Sequence, residues 1–316
     1  MRWLAQAPAN IALIKYMGKK NEHSNLPDNA SLSYTLNNLL STVKIESIPS
    51  KKDIWEPLLA PGAAADFSLS KNGQNRFIEH LARVKTHYGY SGGFLVQSTN
   101  NFPHSSGMAS SASSFAALTK CAVLALSELT HKPILSIDEQ AQLSRQGSGS
   151  SCRSFYSPWA LWKDEEVKSI DLPYKQLIHQ VIVISNQVKE VSSSEAHKRV
   201  KSSPLYATRN QRAEENLKVL LNAMITEDWP SVYHVCWREF QDMHHLFRSC
   251  DDPFSYMTEN SLNLLDILEK QWEKKGDGPI ITMDAGPNIH LLYRPDQEDI
   301  ARQFKQDFLI GNYDVL

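Results

Sequence analysis

Four short segments place ionisable and small residues where they could act on a ligand. The first is Pro103-His-Ser-Ser-Gly-Met-Ala-Ser-Ser-Ala112. Its small side chains let backbone N–H groups approach an anion, and the helix it opens adds roughly half a unit of positive charge at its N-terminus. Its hydroxyls offer donors or a magnesium ligand, but the Gly-Lys-Ser/Thr ending of a P-loop is absent. The plain alternative is a Ser-rich helix start. The second is Gly147-Ser-Gly-Ser-Ser-Cys-Arg-Ser154, where a single arginine sits among glycines and serines. A guanidinium there suits two-point capture of a carboxylate or phosphate; otherwise it is a surface Arg on a turn. The third is Asn10-Ile-Ala-Leu-Ile-Lys-Tyr-Met-Gly-Lys-Lys20, an apolar run that ends in lysines and a tyrosine able to clamp a diphosphate, or in a merely solvated basic turn. In the fourth, Met283-Asp-Ala-Gly-Pro-Asn288, Asp284 leaves a run of apolar residues and enters a tight turn. It is a base or orienting group in a cleft, or an ordinary Asx turn.

The elements that must position these segments follow from periodicity. Strands are expected at 11–14, 41–48, 93–97, 157–162, 180–185, 279–283 and 288–293. Phe77, Leu81, Val84 and Tyr88 have helical spacing within 75–88. An Ala-rich stripe of Ala112, Phe115, Ala116, Val123 and Leu126 predicts a buried helix over 109–129. Further helices are expected at 137–145, 207–224, 230–247 and 262–274. In the second of the long helices, Trp229, Tyr233, Trp237 and Phe240 share a face and read as core, and His244-His245 reads as structural because adjacent helical residues diverge by about 100°. Composition changes near residue 185, so two domains are expected, 1–185 and 186–316, in an α+β or mixed α/β arrangement.

The chain has 316 residues, a formal net charge of -2 and 22% charged residues. That balance has no basic tail or patch to suggest nucleic acid or a membrane surface. Any anion would meet local cations. No signal peptide and no uninterrupted apolar span are evident, so a cytoplasmic protein is expected. The four cysteines, Cys121, Cys152, Cys236 and Cys250, form no CxxC pair and suggest neither zinc nor a disulfide framework.

Taken in order, the segments resemble the mevalonate diphosphate decarboxylases of the GHMP kinase superfamily. That family carries APxNIAxIKYWGK, NNFPTAAGLASSAAG, RxGSGSACRS and DAGPN, and this chain has their counterparts at 7–19, 100–113, 145–154 and 284–288. LPDNASLS at 26–33 and KEVSSSE at 189–195 are further echoes. The resemblance implies a two-lobed fold, with an N-terminal lobe like ribosomal protein S5 domain 2 and a ferredoxin-like C-terminal lobe. It implies consumption of ATP, with Mg2+, to decarboxylate 5-diphosphomevalonate, a small-molecule substrate, and it implies a homodimer.

Residue by residue, the resemblance assigns Asp284, Lys15 and Arg153 to catalysis, Arg153 holding the substrate carboxylate. Tyr16, Met17, Gly18, Lys19, Arg76, Ser148, Gly149, Ser150, Ser151, Cys152 and Ser194 would face the substrate. Asn100, Asn101, Ser105, Ser106, Gly107, Met108, Ala109, Ser110 and Ser111 would face the nucleotide, with Ser110 a magnesium ligand. The chain departs from the family at Met17 in place of Trp, at His104-Ser105-Ser106 in place of Thr-Ala-Ala, and at Lys20, Ala30 and Ser194. His104 reads as a solvated loop residue. Alternatives on the same fold are a 5-phosphomevalonate decarboxylase, a mevalonate 3-kinase and a non-catalytic sensor.

Overall fold

The computed structural model describes residues 1–21, 24–59, 68–102, 110–185, 187 and 189–316. The first lobe runs β1 (Arg2–Ile14), β2 (Lys19–Asn21), β3 (Leu26–Pro27), β4 (Ser31–Ile48), β5 (Ile54–Pro57), α1 (Lys71–Tyr88), β6 (Gly93–Asn100), α2 (Ser110–Thr130), α3 (Ile137–Gly147), β7 (Trp159–Lys163) and β8 (Glu166–Ser169). The second runs β9 (Ile178–Val183), α4 (Ser193–Arg199), α5 (Arg209–Ile225), α6 (Trp229–Ser249), α7 (Glu259–Lys275), β10 (Ile280–Met283), β11 (Ile289–Tyr293), α8 (Glu298–Phe304) and β12 (Asp314–Val315).

The long strand β4 organises the first sheet. Antiparallel β1 follows it along one edge. On the other edge β6 pairs with residues 41–48 and β7 with 31–34. One β4 face meets α1 and α2, where Val43 and Ile45 pack with Phe77, Leu81, Val84 and Phe115. Helix α1 forms because those residues share one face, Ser70 Oγ accepts from Gly73 N at 3.2 Å, and Gly89 closes it in the left-handed region. Helix α2 is long and apolar enough to cross a membrane by length and composition, but it is the buried helix that the Ala-rich stripe predicts, and 72% of its apolar window is enclosed. Its alanines let it lie close against β1.

The second sheet is antiparallel, in the order β10-β11-β9-β12. Strand β9 therefore belongs with the C-terminal lobe, and the boundary expected near 185 moves upstream, into the 170–177 connection. The composition changes late because β9 is itself apolar and only the charged helices after it alter the average. Trp229, Tyr233 and Phe240 are core, as their spacing predicts. One hydrophobic core crosses between the lobes: Ile11, Leu13, Leu32 and Trp159 pack in the same cluster as Leu217, Leu220, Val232, Phe240 and Leu291.

Several histidines are buried uncharged. Burial holds His80, His197 and His244 down at about 3, and His179, beside His290, well below the ordinary 6.5. Each binds a proton in the unfolded chain below about pH 6.5 but not in the fold, so its stabilising contribution is complete above that pH and is lost as pH falls. The expected loss is roughly 1.4 kcal/mol per pH unit for each histidine. Denaturant titrations between about pH 7.5 and about pH 5.5 measure this slope. It should become shallower by one proton in His80→Asn; an unchanged slope would show that His80 does not titrate on unfolding.

Candidate active site

Between the lobes lies a cavity of about 330 Å3. Lys15 enters it from the end of β1 and Asp284 from the end of β10, and Lys15 Nζ meets Asp284 Oδ1 at 2.8 Å. The Lys15 side chain is 1% exposed and the Asp284 side chain 24%, so the carboxylate faces the cavity and the ammonium lies behind it. Burial pushes the Lys15 amine below its ordinary value, and Asp284 pulls it back. The turn after Asp284 is closed by Gly286 N donating to Asp284 O at 2.8 Å. His244 Nε2 lies 3.2 Å from the same carbonyl. His244 is thus structural, as the sequence implied, but its place is directly under the aspartate.

Arg153 comes from a short 3-10 turn, Gly149–Phe155, and is buried. Its Nε donates to Asn10 Oδ1 at 3.1 Å and its Nη1 to Ser31 Oγ at 3.0 Å. These partners are neutral, and no described carboxylate pairs with it. A buried guanidinium held only by neutral oxygens keeps its charge for an incoming anion. Asn10 is fixed in turn by donating to Ser154 Oγ at 2.8 Å.

The rest of the wall is cationic and hydroxyl-rich. Among the described lining residues, Lys15, Lys19, Arg76, Arg153 and Lys189 face a single carboxylate, Asp284. Arg76 donates to Gly147 O at 3.1 Å and lies over the Phe115 ring. Lys189 donates to Ala285 O at 2.7 Å and Ser193 Oγ at 2.9 Å; burial lowers its amine to about 8, against the pull of Asp284. The Tyr16 ring is wedged between Trp162 and His197, at 4.6 and 4.4 Å. Gly149 permits that packing, since a Cβ there would lie 2.7 Å from the Tyr16 hydroxyl. Ser110 and Ser111 bring the start of α2 to the same wall.

The structure thus brings together Asp284, Lys15, Arg153, Tyr16, Met17, Lys19, Arg76, Ser148, Gly149, Ser150, Ser194, Ser110 and Ser111. Met17 is buried, in one cluster with Met243, Phe247 and Tyr256. Five expected residues do not line the cavity. Asn100 is buried against β4 with its Oδ1 accepting from Ser41 Oγ, and Asn101 is bound to Leu40 N and Asn38 O. Ser151 is tied to Ser144, and Cys152 is buried with its thiol on Gly149 O. Gly18 directs its N–H to His197 Nδ1 at 3.0 Å. These support the wall instead of forming it. Ser105, Ser106, Gly107, Met108 and Ala109, with His104, lie outside the described residues. Sequence reading did not single out Asn10, Ser31, Lys189 or His197. Lys189 opens the KEVSSSE echo and could have been found there.

Fold and site define an anion-binding enzyme of the two-lobed GHMP kinase fold, with one lysine-aspartate pair at its centre. Residues 7–171 match the diphosphomevalonate decarboxylase-like N-terminal domain, and residues 179–313 match the mevalonate 5-diphosphate decarboxylase C-terminal domain. The chain belongs to the mevalonate diphosphate decarboxylase family. A crystal structure of a mevalonate diphosphate decarboxylase from Legionella pneumophila is 70% identical, with a TM-score of 0.95 over 100% of both chains. The diphosphomevalonate decarboxylase of Danio rerio is 31% identical over 94% of this chain and 78% of its own length. A structural relative at 28% identity and TM-score 0.85, covering 100% of this chain and 96% of its own, is in complex with MVAPP, AMPPCP and magnesium.

Lys189 carries a pH consequence. Its charge is lost as pH rises through about 8, so anion binding in the cavity weakens there. Calorimetric titration with ATP between about pH 7 and about pH 9 should show this step, and Lys189→Met should remove it. A step that persists in the variant would assign it to another group.

Proposed function

We propose that this chain converts (R)-5-diphosphomevalonate and ATP to isopentenyl diphosphate, ADP, phosphate and carbon dioxide. The observation that carries this reading is the convergence of the Lys15–Asp284 pair and the uncompensated Arg153 on one cavity. The substrate's anions match the cationic wall, and its carboxylate suits Arg153. The diphosphate would lie toward Tyr16, Lys19 and Arg76.

The tertiary 3-hydroxyl is a poor leaving group until it is phosphorylated. Asp284, with one carboxylate oxygen on Lys15, can hold or accept the hydroxyl proton while the substrate's 3-oxygen attacks the terminal phosphoryl of ATP and ADP departs. General-base help of this kind is worth roughly 10²–10⁴-fold. Departure of phosphate leaves positive character at C3, and the C–CO2 bonding pair then becomes the double bond. Arg153 would keep the carboxylate aligned for that step. Ser110, Ser111 and the start of α2 would face the nucleotide phosphates. Among the described residues no cluster of His, Cys, Asp or Glu could hold a metal alone, whereas Ser110 offers a hard oxygen at the cavity wall. That set fits magnesium carried in on phosphate, with Ser110 as one ligand. When bound, magnesium supplies charge neutralisation on the phosphates. By its resemblance to the family we also take the protein to act in the cytoplasm as a homodimer; sedimentation equilibrium tests the dimer.

A coupled assay of ADP and carbon dioxide with 5-diphosphomevalonate tests the reaction. Both products should appear in equal amounts, and Asp284→Ala should lower kcat by roughly 10²–10⁴-fold. ADP without carbon dioxide would make the protein a 3-kinase. Turnover of 5-phosphomevalonate alone would move the substrate assignment to the monophosphate, and no ADP with either would indicate a sensor.

A further inference from the structure

Helices α5 and α6 are rich in charged residues. Two of those charges point inward. Glu239 on α6 and Arg209 on α5 are 0% and 1% exposed. They form a doubled ion pair in which Arg209 Nη2 meets Glu239 Oε1 and Nη1 meets Oε2, the latter at 3.2 Å. Asn216 Nδ2 donates to Glu239 Oε2 at 2.7 Å, and Arg209 Nη1 reaches Asp242 Oδ2 at 2.8 Å. Burying two charges among apolar side chains is costly, and a well-packed apolar pair often serves stability as well. Burial of the pair is therefore weak evidence of a role in stability.

The pair's contacts point elsewhere. Lys15 is the first residue beyond β1, so its peptide groups have left the strand ladder. Lys15 N donates to Glu239 Oε1 at 3.0 Å, and Arg209 Nη2 donates to Lys15 O at 3.0 Å. The ion pair therefore grips both sides of one residue. Asn29 Nδ2 is a second donor to Lys15 O, at 2.9 Å. The same helix α6 carries His244, beside the Asp284 carbonyl. Both members of the reactive pair are thus referred to one rigid element, although they come from different lobes.

We propose that Glu239 and Arg209 are positioning residues that hold the Lys15 backbone at a fixed distance from Asp284, with α6 as the common brace. Neither touches the cavity; they act through Lys15. The proposal rests on the catalytic reading of Lys15 and Asp284 given above.

The test compares the parent with the double variant Glu239→Leu/Arg209→Met, with Glu239→Gln and with Asp242→Asn. The double variant removes both charges together, leaving none unpaired. Its kcat should fall at least about tenfold while KM for ATP and for diphosphomevalonate stays within about threefold, because the loss is confined to the transition state. Glu239→Gln, which keeps one acceptor for Lys15 N, should fall less. Asp242→Asn touches Arg209 but not Lys15, and should lower the thermal midpoint without changing kcat. Crystal structures need no turnover: in the double variant Lys15 Nζ and Asp284 Oδ1 should lie beyond hydrogen-bond distance. A folded double variant with parental kcat and parental separation overturns the proposal, as does an equal kcat loss in Asp242→Asn. If the double variant does not fold, Glu239→Gln decides by the same two readouts, and parental values there overturn it. A parent that turns over no mevalonate phosphate sinks the proposed reaction, while the crystallographic distance still judges the positioning.

Discussion

An ammonium with almost no access to water, held against a carboxylate that does face solvent, is the constraint around which this molecule is arranged. Lys15 lies at the far end of β1 and Asp284 at the end of β10, separated by most of the chain and by a change of lobe. A pair of this kind is favourable only when its geometry is good and its remaining polar groups are satisfied. The structure fixes the backbone on both sides of it: Gly286 N and His244 meet the Asp284 carbonyl, and a buried Glu–Arg pair meets the Lys15 N–H and carbonyl.

The charge around that pair is deliberately unbalanced. Arg153 is held by an amide and a hydroxyl, where a carboxylate would have neutralised it in advance. Lys189 is held by a carbonyl and a hydroxyl. Neutral supports fix the direction of a cation without cancelling its field, which is the preorganisation that developing phosphate charge requires. The buried uncharged histidines fit the same pattern. His197 lies near Arg153 and Lys19 and His244 near Lys15, and as neutral rings they pack there without adding repulsion.

Much of this was legible in the sequence because it is local. Helices α1, α2, α5, α6 and α7 show their apolar faces in the spacing of residues, and their ends differ from the expected bounds by a few residues at most. The two-lobed α+β class and the family follow from ordered motifs. Asp284, Lys15 and Arg153 could be singled out because each sits in a motif whose neighbours restrict the backbone. What could not be read depends on contacts between distant residues. The bond from Ser41 Oγ to Asn100 Oδ1, for example, cannot be seen in the motif that holds Asn100. Ser151 and Cys152 stand between residues that face the cavity and turn the other way. Glu239 and Arg209 belong to no motif, and ordinary helical charges give no sign of which face they leave. Strand β9 was read correctly as a strand but placed on the wrong side of the boundary, since strand pairing is not written in composition.

The shared core between the lobes bears on how the molecule moves. Residues of β1 and β4 are packed directly against α5 and α6, and Leu177 N is bound to the Tyr34 hydroxyl at 2.8 Å across the junction. The two halves are therefore not modules on a hinge. Prising them apart would wet a continuous apolar seam, a cost that opposes separation of the lobes as ligands enter and leave.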